Sequence, residues 1–279
     1  MKKRHSGTAT LLFLLIVWAL GLAQERPPTE AGPFRQPDLV ELVKLDPTLR
    51  LDIRYATRNN FLGRPVYKEA RAFLQRPAAE ALVRVNRVLR EQGFGLVVFD
   101  GYRPWSVTKA FWDATPEEKK EFVADPRKGS RHNRGCAVDL TMFDLSTGQQ
   151  VQMPSEYDEM TERSHINYEC ATPEAKRLRG ILRSAMEAEG FKVYEPEWWH
   201  YDYKDWKEYP ILNLSFKEIR KSRGQVSGVG GQGSGVRVGE KWFVFTNPRP
   251  LAPNTCFLDR RAREADAAVD ACDRNRSAA

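Results

Sequence analysis

Apart from a dozen apolar residues near its start, the 279-residue sequence has no run approaching the ~20 that a membrane-crossing helix needs. This excludes a helical membrane protein for the bulk of the chain. The early run, Leu11 to Leu22, follows Met1-Lys2-Lys3-Arg4-His5 and ends in Gly21-Leu22-Ala23 before Gln24. That is the layout of a cleaved secretory leader, with cleavage expected after Ala23. Histidine is scarce: of four, only His132, His165 and His200 lie beyond the leader. Cysteine is scarce too, and no C-x-x-C pair or Cys/His cluster is present, which argues against a structural zinc. Cys136 and Cys170 lie in the body, Cys256 and Cys272 in the tail. One bridge within each region and free thiols are both compatible with an exported chain. No internal repeat is visible.

The body also lacks net charge. The formal +7 divides into three basic residues in the leader, ten basic against six acidic residues in 221–279, and 31 of each sign in 24–220. The body therefore has no electrostatic reason to bind nucleic acid. The mature protein is expected to be exported, most plainly to the periplasm, without stable membrane insertion.

What is present suggests one domain with appendages. Residues 24–37 carry Pro27, Pro28, Pro33 and Pro37 and read as an extended entry segment. Ala78, Leu82, Val85 and Leu89 lie on one face of a helix predicted from Pro77 to Gln92, closed by Gly93. A strand follows at Leu96–Phe99 and runs into Asp100-Gly101-Tyr102-Arg103-Pro104, a turn that sets Arg103 just past a strand end. A helix is expected from Pro104 to about Ala114, a strand from Ala137 to Phe143, and a helix from Pro173 to Glu189 ended by Gly190. An aromatic strand pair is expected around Tyr194 and Trp198–Tyr203. After Arg220 the composition turns to Gly, Ser and Gln, as in a linker. The expected division is a leader 1–23, a catalytic domain 24–220 and a tail 221–279, largely disordered, in which only Lys241–Phe245 looks strand-like.

The chemistry concentrates in two segments. In Ser130-Arg131-His132-Asn133-Arg134-Gly135-Cys136-Ala137-Val138-Asp139, a glycine turn can bring a loop imidazole and a strand carboxylate to one point, and zinc accepts both ligand types. In Glu195-Pro196-Glu197-Trp198-Trp199-His200, His200 completes a three-ligand set and Glu197 supplies the base a catalytic metal site requires. A regular strand would point residues three apart to opposite faces, so a bulge or strand end is expected between 197 and 200. Glu195 is the competing base, directed by Pro196 towards the entrance. His165 is the competing ligand, with no carboxylate at matching spacing. Arg103, permanently charged and braced by Pro104, suits a developing oxyanion, the plain alternative being a surface arginine.

Together, Ser-x-His-x-x-Gly-x-Ala-x-Asp at 130–139 and Glu-Trp-Trp-His at 197–200 resemble the D-alanyl-D-alanine dipeptidases. Further matches are Tyr55-Ala56-Thr57, Asn60-Phe61, Gly63, Pro65-Val66, the turn at 100–104, and Asp158-x-Met160-x-Glu162-Arg163-Ser164-His165. The resemblance covers about residues 38–219. It implies an α+β fold with a mixed or antiparallel central sheet and one Zn2+ on His132, Asp139 and His200. It further implies Glu197 as acid/base, Arg103 on the scissile carbonyl, Tyr55 and Asp158 near the substrate ammonium, and Ser130 and Tyr67 lining a small pocket for a D,D-dipeptide. The 59 residues from Lys221 onward exceed the family pattern. Cys136 stands beside the motif glycine, where its thiol is expected to point away from the metal. The alternatives are a D,D- or L,D-carboxypeptidase trimming peptidoglycan stems and a non-catalytic wall-binding module.

Overall fold

In a computed structural model, the described residues are 25–220 together with Val269 and Cys272. The predicted leader and most of the tail, Lys241–Phe245 included, lie outside them. Among the described residues seven strands are present: β1 (Leu39–Glu41), β2 (Arg50–Leu51), β3 (Phe73–Gln75), β4 (Phe94–Asp100), β5 (Ala137–Asp144), β6 (Phe191–Tyr194) and β7 (Glu197–Tyr203). The three main helices are α1 (Arg76–Glu91), α2 (Trp105–Ala114) and α3 (Pro173–Ala188).

Local chemistry explains the helix limits. Pro77 opens α1 within its first turn, where its missing N–H costs nothing, and Pro173 does the same for α3. The Thr172 hydroxyl caps α3 by accepting from the Ala175 amide at 3.1 Å. Gly93 and Gly190 then turn the chain with φ of 88° and 86°. Ala78, Leu82, Val85 and Leu89 are buried, as are Leu178 and Leu182 on α3. The two helices pack on each other and on the sheet.

The central sheet runs β2-β4-β5-β7-β6, with β2 parallel to β4 and the other pairs antiparallel. The fold is α+β with a mixed sheet. A separate antiparallel pair, β1 and β3, packs beside it. Register matters most at one end, where Asp100, Asp139 and His200 form a row across β4, β5 and β7. On β5, strict alternation sends Val138, Leu140 and Met142 to the face opposite Asp139.

The cysteines pair differently from a bridge within each region. Cys170, just before α3, is bonded to Cys272, while Cys136 is free and buried. Val269 is buried as well. The far end of the sequence thus returns to the domain, an arrangement that spacing along the chain carries no information about. No helix among the described residues is long and apolar enough to cross a membrane.

Candidate metal centre and active site

The segment between α2 and β5 delivers the first imidazole. A short 3-10 turn, His132–Arg134, ends at Gly135, whose φ of 67° reverses the chain into β5. The Asn133 side chain ties the turn inward, donating to the Arg103 carbonyl at 2.8 Å and accepting from the Ser130 amide at 2.8 Å. β3 holds it from the other side, the Gln75 amide donating to the Gly135 carbonyl at 2.8 Å. Gly101 lies close against β3, since a Cβ there would meet the Phe73 carbonyl oxygen at 2.7 Å. Its own carbonyl accepts from His132 Nδ1 at 2.7 Å.

That contact fixes the tautomer of His132: Nδ1 carries the proton and Nε2 faces inward with a lone pair. His200 is the mirror case, with Nε2 2.9 Å from Asp202 Oδ1 and Nδ1 facing inward. The inward nitrogens lie 3.1 Å apart, and each faces Asp139 Oδ1, at 3.3 Å from His132 and 3.0 Å from His200. Asp139 Oδ1 is buried without a hydrogen bond. Three lone-pair atoms this close repel unless a cation lies among them, and the edges of a tetrahedral zinc site are about 3.3 Å. The residues therefore fit a metal ion. Burial opposes charge on His200, yet the Asp139 and Asp202 carboxylates raise its pKa to about 10. The trio is the one such cluster found among the described residues.

Glu197 and Arg103 face the same cavity, of about 350 Å3. Pairing of β6 with β7 jumps from Val193↔Tyr201 to Tyr194↔Glu197, the irregularity expected between 197 and 200. It lets both residues line the cavity, with Glu197 Oε2 3.7 Å from His200 Nδ1. Burial pushes the Glu197 carboxyl up to about 7, with Asp139 adding to the rise and His200 and Arg103 opposing it. Arg103 is buried rather than a surface side chain. Its guanidinium meets Asp100 Oδ2 at 2.8 Å and Asp139 Oδ2 at 3.7 Å and lies 4.7 Å from the Phe111 ring centre. Burial works against its charge, and these carboxylates keep it protonated.

A family model described as D-ala-D-ala dipeptidase matches residues 35–221. The chain belongs to this family. Among curated relatives, the D-alanyl-D-alanine dipeptidase of Escherichia coli K12 is 35% identical over 179 residues, covering 64% of this chain and 91% of the relative. The enzyme of the same name from Enterococcus faecium is 37% identical over 186 residues, covering 60% and 92%. Of solved structures, the vancomycin-resistance D,D-dipeptidase VanXYg aligns with a TM-score of 0.32 at 19% identity, over 56% of this chain and 61% of that one. At that score the likeness is loose, and membership rests on the family match and the sequence relatives.

Within this D-Ala-D-Ala dipeptidase domain, Tyr55, Ser130 and Asp158 line the cavity with the metal trio. The Tyr55 hydroxyl donates to Asp158 at 3.0 and 2.9 Å. Asp158 has a φ of 62°, a left-handed conformation that aspartate tolerates better than most residues. Burial and the nearby Asp139 raise its pKa to about 8, against the Tyr55 hydrogen bond. Tyr67 is not brought to the cavity wall: it is buried, and its hydroxyl donates to Asp100 at 2.9 Å, behind Arg103. Glu195 is exposed in the β6–β7 turn, away from the cavity lining. His165 is outside the trio, its carbonyl accepting from Arg179 at 3.2 Å. The Cys136 sulfur is directed to the Arg134 carbonyl and is not part of the trio.

Two supporting residues escaped the sequence reading. The Tyr157 hydroxyl donates to Asp139 Oδ2 at 3.0 Å, and its ring stacks on Phe99 at 4.4 Å. Asp202 holds His200 as described above. For Asp202 a signal did exist, since residues 200 and 202 share one strand face. For Tyr157 there was none, because a loop delivers it.

Proposed function

We propose that the protein hydrolyses D-alanyl-D-alanine or a similar D,D-dipeptide, with one Zn2+ held by His132, Asp139 and His200. The observation that carries this reading is the convergence on one cavity of three metal-facing lone pairs, a carboxylate of raised pKa and a buried arginine. A structural zinc would require neither Glu197 nor Arg103, so a non-catalytic wall-binding module leaves them without a purpose.

Bound there, zinc lowers the pKa of water towards about 7 and polarises a carbonyl oxygen. Glu197 receives the proton of the attacking water and returns it to the leaving amine, a role suited to a carboxyl poised near neutrality. Arg103 faces the carbonyl oxygen as it gains negative charge, and Asp100 and Tyr67 behind it keep the guanidinium from turning away. Asp158, with Tyr55 hydrogen-bonded to it, receives the substrate ammonium, and Ser130 narrows the pocket. Burial raises the Asp158 pKa to about 8, and an ammonium beside it favours its charged form. A site that pairs the free α-amine of a dipeptide penalises a stem peptide, in which the corresponding nitrogen is acylated. The relatives named D-alanyl-D-alanine dipeptidase support this choice over a carboxypeptidase.

Export to the periplasm is part of the proposal. Its support is the leader-like start of the sequence and the Cys170–Cys272 pair, a bond that persists in oxidising compartments. Hydrolysis of D-Ala-D-Ala against a stem pentapeptide tests the substrate class. Preference for the dipeptide is expected, and preference for the pentapeptide would reassign the protein as a carboxypeptidase.

A further inference from the structure

The two imidazoles at the metal centre are held by unequal partners. His132 Nδ1 leans on a neutral carbonyl, that of Gly101. His200 Nε2 leans on a carboxylate, Asp202 Oδ1, at 2.9 Å. Strand geometry places that carboxylate: residues 200 and 202 of β7 lie two apart on one face, opposite Asp139 and Ala137 of β5. The second oxygen of Asp202 is engaged as well, by Arg131 Nε at 3.3 Å. Arg131 is in turn stacked over Trp206, 4.9 Å from its ring centre. Asp202 is mostly buried, its side chain 14% exposed.

We propose that Asp202, anchored by Arg131, is a positioning residue of the metal centre: it holds His200 in the tautomer and ring orientation that turn Nδ1 towards Asp139 and His132. The inference rests on the reading that His200 is a metal ligand. An imidazole is free to rotate about its χ2 bond, and a rotation of half a turn would aim a carbon at the metal. A carboxylate on the far nitrogen excludes that rotamer and strengthens the near nitrogen as a donor. Arg131 immediately precedes His132, so one short segment supplies the first imidazole and, through Asp202, orients the second. The arrangement thereby couples the loop at 130–134 to a strand across the sheet.

The test is zinc binding by the full chain, read by competition with a chromophoric chelator and therefore independent of any peptide substrate. Asp202→Ala is expected to weaken zinc binding by about 10–100-fold. Asp202→Asn, which keeps an acceptor oxygen but loses the charge and its hold on Arg131, is expected to fall between it and the parent. Arg131→Gln should show a smaller loss and provides a second route if Asp202→Ala fails to fold. At saturating zinc, kcat and KM of Asp202→Asn should return to within a few-fold of the parent. Folded variants that bind zinc as tightly as the parent would overturn the inference, as would a kcat defect that zinc does not repair. A parent protein that binds no zinc would instead remove the reading beneath it.

Discussion

Replacing Glu197 by Gln keeps the shape of the side chain and removes its capacity to accept a proton. The expected outcome is a kcat lower by about 10²–10⁴-fold with zinc content unchanged by elemental analysis. Retained activity would place the base elsewhere. A second expectation concerns pH. Glu197 and Asp158 have values of about 7 and 8 in the folded protein against ordinary values of 4.5 and 3.8, and His200 about 10 against 6.5. All three are raised, so the folded chain holds protons that the unfolded chain releases. Their stabilisation is complete below the unfolded values and is lost as pH rises through the folded ones. Chelator-treated protein should therefore lose Tm steadily from about pH 5 to pH 9, and Glu197→Gln with Asp158→Asn should flatten that slope. A Tm that rises over the same window would contradict burial as the cause of the raised Glu197 and Asp158 values and the carboxylates as the cause for His200. At this scale the sequence was most readable where spacing and residue type coincide, as for His132, Asp139, Glu197 and His200. Tyr67 reads alike in sequence whether it lines a pocket or buttresses an arginine, because packing alone decides where its hydroxyl goes.

The turn before β5 and the hairpin that carries β7 act as elements, each converting local backbone geometry into a ligand position. Gly135 adopts a φ of 67°, and a Cβ there would lie 2.4 Å from Leu39 Cδ2. Gly135→Ala combines left-handed strain with a clash against β1, so a loss of about 1–3 kcal/mol is expected from denaturant unfolding. Zinc affinity should fall in parallel, since the same turn aims His132. A variant as stable as the parent would mean that the turn relaxes freely. Helices α1, α2 and α3 and strands β4, β5 and β7 were legible from periodicity and from their proline and glycine punctuation. Strands β1, β2 and β3 were not: two or three residues are too few to show a period, and their pairing depends on partners remote in sequence. The register shift between β6 and β7 was legible by a different route, because Glu197 and His200 could serve one site only if the strand broke its alternation.

For the molecule as a whole, the Cys170–Cys272 bond closes a loop of 102 residues that spans the hairpin and the Gly-rich segment. Constraint of the unfolded chain by a loop of that length is worth about 4–5 kcal/mol in the chain-entropy description. Cys272→Ser should lower Tm and remove the sensitivity of the parent's Tm to reductant, while kcat for dipeptide hydrolysis at 25 °C stays as it was. An unchanged Tm would show that the bond constrains nothing in the unfolded chain. The change of composition after Arg220 is legible in the sequence, whereas the pairing of Cys170 with Cys272 is not. The central claim joins all three scales: a metal trio, a base and an arginine held at one end of the central sheet to cleave a small D,D-dipeptide. It is tested most directly by following D-alanine release from D-Ala-D-Ala by the purified protein before and after chelation, with zinc added back. Release that stops on chelation and returns with zinc is the expected result; release that persists in the chelated protein would contradict the account.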